Sequence, residues 1–369
     1  MELRRFGIEE EVTLVDPTTL RPVPVAPRVL AELRRSEDLA ANVSHELLAS
    51  QVEYASPVFE TLDEARSHLR GWREAVAEEA ARAGALPFHS GTPFDADDPP
   101  VVTDDPRYRM LAADQGEVIR QHQIQATHVH VGVHSPADGV RALNGARPWL
   151  PVLLALSGGS PFWHGRDTGF ESWRTLQMRR WTTNGCPPRF EDAEDHDRRL
   201  ALLVGVGGTD DIASIAWYLR LSALHPTLEF RVFDAQLDPE VSVLLAALCR
   251  ALVCTEDAEA AAHPDALDGE LIDSSLWHAA RSGVSSNLVD PRTGELAPAR
   301  SVVDGMLALV DAGLGADRDA VHDGVERILA EGTSAVRQRA ALAADGVDGL
   351  RRLAAAAPGP GHPPVLRTA

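Results

Sequence analysis

Three segments of this chain place charged or imidazole side chains at alternate positions, with apolar residues between them. These positions are occupied by Glu9 and Glu11, His128 and His130, and Glu229 and Arg231. Successive side chains of a β-strand point to opposite faces, so the members of each pair share one face and their apolar neighbours share the other. The pattern therefore predicts three strands whose polar faces line one charged cavity.

A cavity of this composition favours a bound cation. Several carboxylates, two imidazoles and a guanidinium are costly to remove from water unless something cationic lies among them. Carboxylate oxygens with one or two imidazoles suit Mg²⁺ or Mn²⁺, which complete their coordination with water and substrate phosphate. The three segments thus predict a divalent-cation site and point towards nucleotide chemistry.

Each pair also has a simpler interpretation. The acidic pair of the first segment could be a solvated charge run. The two histidines could form a surface pair or a zinc site, and the last pair could be a cross-strand ion pair. Glu53, in a short strand of its own, is the weakest member by pattern alone.

The basic residues narrow the ways in which the chain can bind phosphate. All 35 of them are arginine, and the chain has no lysine. This excludes a phosphate-binding loop that ends in Gly-Lys, a pyridoxal Schiff base and the lysine of protein kinases. Arginine and metal must therefore handle any phosphate. The formal net charge of -20 disfavours nucleic acid and anionic membranes as partners, because both would be repelled at long range.

Cysteine usage and hydropathy indicate the compartment. Cys186, Cys249 and Cys254 are odd in number and lack a metal-type spacing, which suits reduced thiols. The N-terminal residues lack the apolar core of a signal peptide, and no apolar run reaches membrane length. We expect a soluble cytoplasmic protein with no membrane partner, and a homo-oligomer is left open.

Strand-like and helix-like segments follow one another without a regular βαβ alternation. Strands are predicted at 3–15, 50–55, 86–90, around the two histidines, and as a hairpin over 215–221 and 227–233. Thr61 and Glu64 have the spacing of a capping box at the start of a long helix, and another helix is predicted over 137–156. These elements predict an α+β protein with a mainly antiparallel sheet.

Four ordered motifs resemble one known family. They are Phe-Gly-Ile-Glu-Glu-Glu at 6–11, Thr-His-Val-His-Val-Gly at 127–132, Ser-Pro-Phe-Trp-His-Gly-Arg-Asp-Thr-Gly at 160–169, and Pro-Thr-Leu-Glu-Phe-Arg-Val-Phe-Asp at 226–234. Together they resemble the glutamate–cysteine ligase type 2 family, also called carboxylate–amine ligases. The resemblance implies a glutamine synthetase-like fold, with a curved antiparallel sheet around metal-bound ATP and helices on its outer face. With no domain linker visible, we expect a single catalytic domain over 1–355, mostly helical after 239 where the chain is rich in alanine and leucine. The Ala/Pro/Gly-rich composition of the last residues predicts a disordered tail over 356–369.

The resemblance further implies roles for individual residues. The metal set by motif position is Glu9, Glu11, Glu53, His128 and Glu229. The residues implied to bind the ATP phosphates are His130, Arg174 and Arg231. The residues implied to bind substrate are Ser160, Arg166 and Arg220, and those implied to be catalytic are Arg166 and Arg231.

The implied reaction joins a carboxylate to an amine. The carboxylate attacks the γ-phosphate of ATP, and an amine captures the resulting acyl phosphate, with Mg²⁺ or Mn²⁺ as the metal. Two departures bear on the small-molecule acid and amine: the family's Ala-Asn-Ser-Pro is Gly-Gly-Ser-Pro at 158–161, and its Glu-Asn-Arg-Trp-Arg-Ala is Ser-Ser-Leu-Trp-His-Ala at 274–279. Glutamate and cysteine are therefore the substrates that the family name gives, and the sequence does not itself identify them. The alternatives are a zinc-dependent amide hydrolase and a nucleotide-binding relative with weakened catalysis.

Overall fold

The computed structural model describes residues 3–96, 99–209, 211–256, 258–263 and 268–356. Its strands are Phe6–Val15 (β1), Val43–His45 (β2), Gln51–Ala55 (β3), Leu86–Phe88 (β4), Ala126–Gly132 (β5), Phe162–Trp163 (β6), Arg166–Asp167 (β7), Leu219–Leu221 (β8), Thr227–Asp234 (β9), Asn287–Asp290 (β10) and Glu295–Pro298 (β11). Its α-helices are Ala26–Leu33 (α1), Leu62–Arg82 (α2), Pro106–Gln115 (α3), Glu117–Arg120 (α4), Pro136–Ala146 (α5), Leu150–Leu156 (α6), Trp173–Met178 (α7), Ala193–Gly205 (α8), Pro239–Cys254 (α9), Gly269–Ser282 (α10), Ala299–Leu314 (α11), Arg318–Glu331 (α12) and Ser334–Ala355 (α13).

One antiparallel sheet organises the molecule. Its strands follow the order β2-β3-β1-β5-β9-β8, and β4 pairs with the second half of β1. The strand β1 is central because residues 6–10 pair with β5 and residues 9–13 pair with β3 on its other side. The sheet therefore joins segments from the first 60 residues to segments beyond residue 219. The predicted α+β class with a mainly antiparallel sheet is confirmed.

The two faces of β1 have different surroundings, as its alternating sequence predicts. Phe6, Ile8, Val12 and Leu14 point to the outer face and are buried in the main apolar core. Glu10 points the same way and forms a buried ion pair with Arg73 of α2. Helices thus cover the outer face, and Glu9 and Glu11 remain on the other.

Some predicted elements are present as expected, and others are divided or shorter than predicted. The capping box at Thr61 and Glu64 is present at the start of α2. The helix predicted over 137–156 is two helices, α5 and α6, because the Arg-Pro-Trp turn at 147–149 is a 3-10 helix. The strand predicted over 215–221 is only β8, since Trp217 and Tyr218 pair with Gly185 instead.

The chain after residue 239 contains α9 to α13 and the hairpin of β10 and β11. The single domain over 1–355 stays a prediction, and of the tail predicted over 356–369 only Ala356 lies within the described residues. No helix in the described ranges combines the length and the apolar character needed to cross a bilayer.

Candidate active site

The register of the sheet brings the predicted polar residues side by side. On β1, Glu9 lies opposite His128 of β5, and Glu11 lies opposite Glu53 of β3. On the other side of β5, His130 lies opposite Glu229 of β9. Residues that are up to 220 positions apart in the chain therefore share one face of the sheet.

Three of these side chains form a compact set of potential metal donors. One ligand atom from each of Glu9, His128 and Glu229 lies within 4.8 Å of the other two. His128 Nδ1 is 2.9 Å from Glu9 Oε2, and His130 Nε2 is 3.1 Å from Glu9 Oε1. The hydroxyl of Thr227 is 2.9 Å from His130 Nδ1 and completes the contacts of that ring.

The charges of this set follow from its contacts. Burial raises the pKa of Glu9, but hydrogen bonds with His128 and His130 outweigh it and hold the pKa well below its usual range. Burial and the nearby Arg231 lower the pKa of His128 to about 4. Near neutral pH the His128 ring is therefore uncharged, and with Nδ1 donating to Glu9 its Nε2 keeps a lone pair that can bind a metal.

Two arginines hold Glu229. Arg220 Nε donates to Glu229 Oε2 at 2.7 Å, and Arg231 NH1 donates to Glu229 Oε1. Although burial raises the pKa of Glu229, Arg231 and Arg220 lower it to about 2. Arg220 also donates to the carbonyls of Ala213 and Ile215, so its three guanidinium nitrogens all have acceptors in the protein. Its contact with substrate stays a prediction.

A second group of carboxylates lies beside the first. Burial and the charge of Glu46 raise the pKa of Glu11 to about 8. Burial and the charges of Glu46, Glu9 and Glu11 raise the pKa of Glu53 well above its usual range, and burial raises that of Glu46. Ser44 donates to Glu53 at 2.7 Å. These acids lie close enough that the negative charge of one raises the pKa of its neighbours.

The geometry of the first group fits a divalent cation, and the charges of the second group favour one. Buried acids that raise one another's pKa need a compensating positive charge to be ionised together. Oxygen donors with one imidazole suit Mg²⁺ or Mn²⁺. Of the metal set implied by the sequence, the structure brings Glu9, His128 and Glu229 together, and it places Glu11 and Glu53 in the second group. The metal roles of all five stay predictions. Sequence reasoning missed Glu46, which lies just after the three-residue strand β2, too short to show a period.

Arg174 is buried beneath this face and is 2% exposed. Its guanidinium donates to the backbone carbonyl of Arg231 at 3.0 Å, and its charge acts on Glu11. Ser160 is also fully buried, and its hydroxyl donates to Asp234 at 2.6 Å and accepts the N–H of Arg174. The structure thus makes Ser160 a support for Arg174, and its predicted contact with substrate stays a prediction.

Arg166 has a different environment from the other predicted arginines. It lies on β7, its side chain is exposed, and among the described residues it makes no hydrogen bond or ion pair. It lies in the hairpin of β6 and β7, which follows Ser160. Its predicted substrate and catalytic roles stay predictions.

A large cavity opens next to the donor set. Its volume is about 970 Å³, and it lies where β1 begins and β5 ends. Glu9 and His130 lie on its wall, and apolar side chains such as Leu3, Val58 and Val133 line other parts. A ligand in this cavity can place an anionic end against the donor set and an apolar part towards its mouth.

The two segments that depart from the family motifs, 158–161 and 274–279, lie in the layer behind Arg174. A Cβ atom at Gly159 would lie 2.9 Å from the carbonyl oxygen of Ala235, so a larger residue does not fit there without a shift. In α10, Trp277 packs edge-on against Phe170 with ring centroids 5.6 Å apart, and His278 donates to the carbonyl of Asn287. This helix supports the segment before α7.

Relatives with curated names cover almost the whole chain. A family model described as "Glutamate-cysteine ligase family 2(GCS2)" matches residues 5–354. A protein of Salinispora arenicola named "Putative glutamate--cysteine ligase 2" is 40% identical over 341 residues, which are 91% of this chain and 90% of the relative. One of Frankia alni with the corresponding name ending "2-2" is 40% identical over 363 residues, covering 93% and 94%.

Solved structures share the fold. A glutamate–cysteine ligase from Francisella tularensis, solved in complex with AMP, has a TM-score of 0.71 and 13% identity, covering 96% of this chain and 89% of that one. A bifunctional glutathione synthetase from Pasteurella multocida has a TM-score of 0.66 and 17% identity, covering 96% and 51%. At these identities the likeness shows a common fold. The alternative of a zinc-dependent hydrolase is not supported by any of these similarities.

Proposed function

The chain belongs to glutamate–cysteine ligase family 2 and is an ATP-dependent carboxylate–amine ligase, and from this premise we propose which residues bind cation, nucleotide and substrate. The observation that carries the proposal is the meeting of Glu9, His128 and Glu229, with donor atoms within 4.8 Å of one another. We propose that they hold one Mg²⁺. Glu11, Glu46 and Glu53 hold a second cation.

The nucleotide is proposed to occupy the 970 Å³ cavity at the start of β1. Its triphosphate faces Glu9 and His130, and its nucleoside faces the apolar lining. Mg²⁺, when bound, neutralises the charge of the triphosphate and of the transferring phosphoryl group. The AMP in the related Francisella tularensis enzyme supports an adenine nucleotide as ligand.

The side chains contribute mainly by positioning and by charge. Arg231 and Arg174 offer positive charge to the phosphoryl group as it moves from ATP to the substrate carboxylate. The amine then attacks the acyl phosphate and phosphate leaves. The buried arginines and the lack of lysine agree with a route that uses no protein nucleophile.

The names of the relatives support glutamate and cysteine as the first acid and amine to test. The replaced residues at 158–161 and 274–279 lie behind Arg174 and are not members of the donor set, so we propose that they alter the acid or amine and leave cation and ATP binding intact.

The test is a screen for ADP release in the presence of Mg²⁺ over paired carboxylates and amines, with product mass measured. Glutamate with cysteine is expected to release ADP and form the amide, and omission of either substrate or of Mg²⁺ is expected to stop both. Amide formed without ATP consumption would contradict a ligase. Nucleotide binding without turnover for any pair would favour the relative with weakened catalysis.

Substitutions of single donors test whether Glu9 and Glu229 belong to the proposed cation site. Glu9→Gln and Glu229→Gln each remove one anionic donor while keeping side-chain shape, and each is expected to lower kcat by at least about 100-fold. Glu295→Gln, an exposed site on β11, is the matched control and is expected to retain full turnover. Wild-type kcat in Glu9→Gln would remove Glu9 from the proposed cation site.

A further inference from the structure

Asp234 is a buried carboxylate to which none of the roles above is assigned. It is the last residue of β9, and its side chain is 0% exposed. It accepts hydrogen bonds from Gly159 N–H at 2.9 Å, the Ser160 hydroxyl at 2.6 Å and the Ser172 hydroxyl at 2.8 Å. One carboxylate therefore ties the end of β9 to two separate points of the segment that leads into α7.

Both serines also form hydrogen bonds with the backbone of α7. The Ser160 hydroxyl accepts the backbone N–H of Arg174 at 2.9 Å. The Ser172 hydroxyl caps α7 by accepting the backbone N–H of Thr175. Because each serine hydroxyl donates its proton to Asp234, its oxygen is fixed in the orientation that accepts from α7. The backbone of Arg174 is thus held through Ser160 by Asp234.

The guanidinium of Arg174 returns to the same strand. It donates to the carbonyl of Arg231 at 3.0 Å, and its NH1 lies 4.0 Å from Asp234 Oδ1. Arg174 Nε is buried and has no hydrogen-bond partner. The guanidinium therefore retains an unused donor, while its position relative to β9 is fixed from both ends of the residue.

The surrounding packing leaves the carboxylate little freedom. A Cβ atom at Gly91 would lie 2.7 Å from Asp234 Cγ, and one at Gly159 would lie 3.3 Å from Asp234 Cβ. Two glycines therefore allow the backbone to approach Asp234 closely, which is a typical use of this residue. A buried charge that is enclosed and multiply hydrogen-bonded has one stable position.

We propose that Asp234 is a positioning residue for the ligase reaction, which fixes Arg174 against the strand that carries Glu229 and Arg231. Asp234 touches neither substrate nor cation. It acts through Ser160 and Ser172, so that Arg174 meets the transferring phosphoryl group without rearrangement. This inference rests on the proposed role of Arg174.

The test is a double-mutant cycle between Asp234→Asn and Arg174→Ala. Asp234→Asn removes the charge and one acceptor, and it is expected to lower kcat about 100-fold, the effect of a misplacement of about 1 Å, with KM for ATP unchanged. In the Arg174→Ala background the same substitution is expected to add less than about 3-fold, because the residue that it positions is gone. Full additivity of the two losses would overturn the proposal.

A matched control and a gentler variant separate positioning from general stability. Asp290→Asn alters another buried aspartate, in β10 and paired with Arg292, and is expected to retain wild-type kcat. Ser160→Ala keeps Asp234 and its hydrogen bond from Ser172 but removes the hydroxyl that joins Asp234 to the Arg174 N–H, so it is expected to lower kcat without raising KM for the acid. A raised KM for the acid with kcat intact would instead mean that Ser160 contacts substrate, and it would overturn the proposed link.

Amide hydrogen exchange decides the structural part without relying on turnover. Asp234→Asn is expected to raise exchange over 172–178 while β1 and β5 stay as protected as in the wild type. Unchanged protection of α7 would overturn the inference even if activity fell. If the wild-type protein released no ADP with any substrate pair, the proposed function would fail, and loss of α7 protection would still establish that Asp234 holds Arg174.

Discussion

Neighbouring residues of β1 show how far a single position can be understood from sequence. The alternation predicts that Glu9 and Glu11 share a face, and the register places them there. The same alternation puts Glu10 with the apolar residues, but its partner Arg73 lies 63 positions further on and shows no local signal. Glu46 was missed for a similar reason, since its importance comes only from the side chains around it.

Asp138 offers a test of one such long-range contact, at a half-buried site. It accepts hydrogen bonds from Arg4, from Arg141 and from the backbone of His134. Burial raises its pKa, but these contacts outweigh it, Arg4 first, and hold the pKa well below its usual range. Asp138→Asn is expected to lower the free energy of unfolding by about 1–3 kcal/mol at pH 7.

The pH dependence of that loss has a defined sign. Because the folded-state pKa is below the unfolded value of about 3.9, the stabilisation is complete above this value and is lost as the pH falls through the folded pKa. Urea unfolding of both proteins at pH 7, 5 and 3 measures the difference, which should shrink only in the last step. A constant difference down to pH 3 would show that charge is not the cause. Asp319→Asn, at an exposed site, is the control.

Elements pack here through polar contacts as well as through the apolar core. Arg73 of α2 donates twice to Glu10 of β1 and also to the carbonyls of Gln236 and Leu237, which follow β9. One guanidinium therefore joins a helix, the central strand and the segment that leaves the catalytic face. The capping box of α2 was predictable because all its atoms lie within four residues. The contact of Arg73 with Glu10 was not predictable, because the two residues are 63 positions apart.

Removing Arg73 is expected to cost far more than removing a surface arginine. Arg73→Met leaves Glu10 buried and unpaired, which should lower the free energy of unfolding by about 3–5 kcal/mol. Exchanging both residues, Arg73→Met with Glu10→Leu, should recover much of the loss because no buried charge remains. Denaturant unfolding measures both, with Arg82→Met on the exposed end of α2 as the control. A double variant as unstable as Arg73→Met would show that the backbone contacts of Arg73 matter more than the charge.

At the scale of the whole molecule, glutamates from distant parts of the chain meet on one face of the sheet. Glu9, Glu11, Glu46, Glu53 and Glu229 come from four segments, which are β1, the end of β2, β3 and β9. The charges of neighbouring acids contribute to the raised pKa values of Glu11 and Glu53. The sequence indicated the family and the sheet class, because the motifs are local. It did not indicate that Arg220 pairs with Glu229, which depends on the pairing of β8 with β9.

Mg²⁺ should therefore stabilise the fold as a whole. At a concentration about 100 times its dissociation constant, a ligand that binds only the folded state adds about 2.7 kcal/mol to the free energy of unfolding. Thermal unfolding with and without Mg²⁺ at constant ionic strength is expected to show a higher Tm with the metal. Glu9→Gln should lose this shift and Glu295→Gln should keep it. An equal shift in Glu9→Gln would place the stabilising cation elsewhere.

The placement of Glu229 on β9 has a consequence for how the site forms during synthesis of the chain. During translation the first two donors, Glu9 and His128, leave the ribosome long before the third, and β1 has its neighbour β5 well before β9 exists. A nascent chain cannot assemble the triad until more than 60% of its length has been synthesised. On the proposed assignment, cation binding at this site is a late event, and a product of interrupted synthesis that ends before Glu229 lacks one of its three donors.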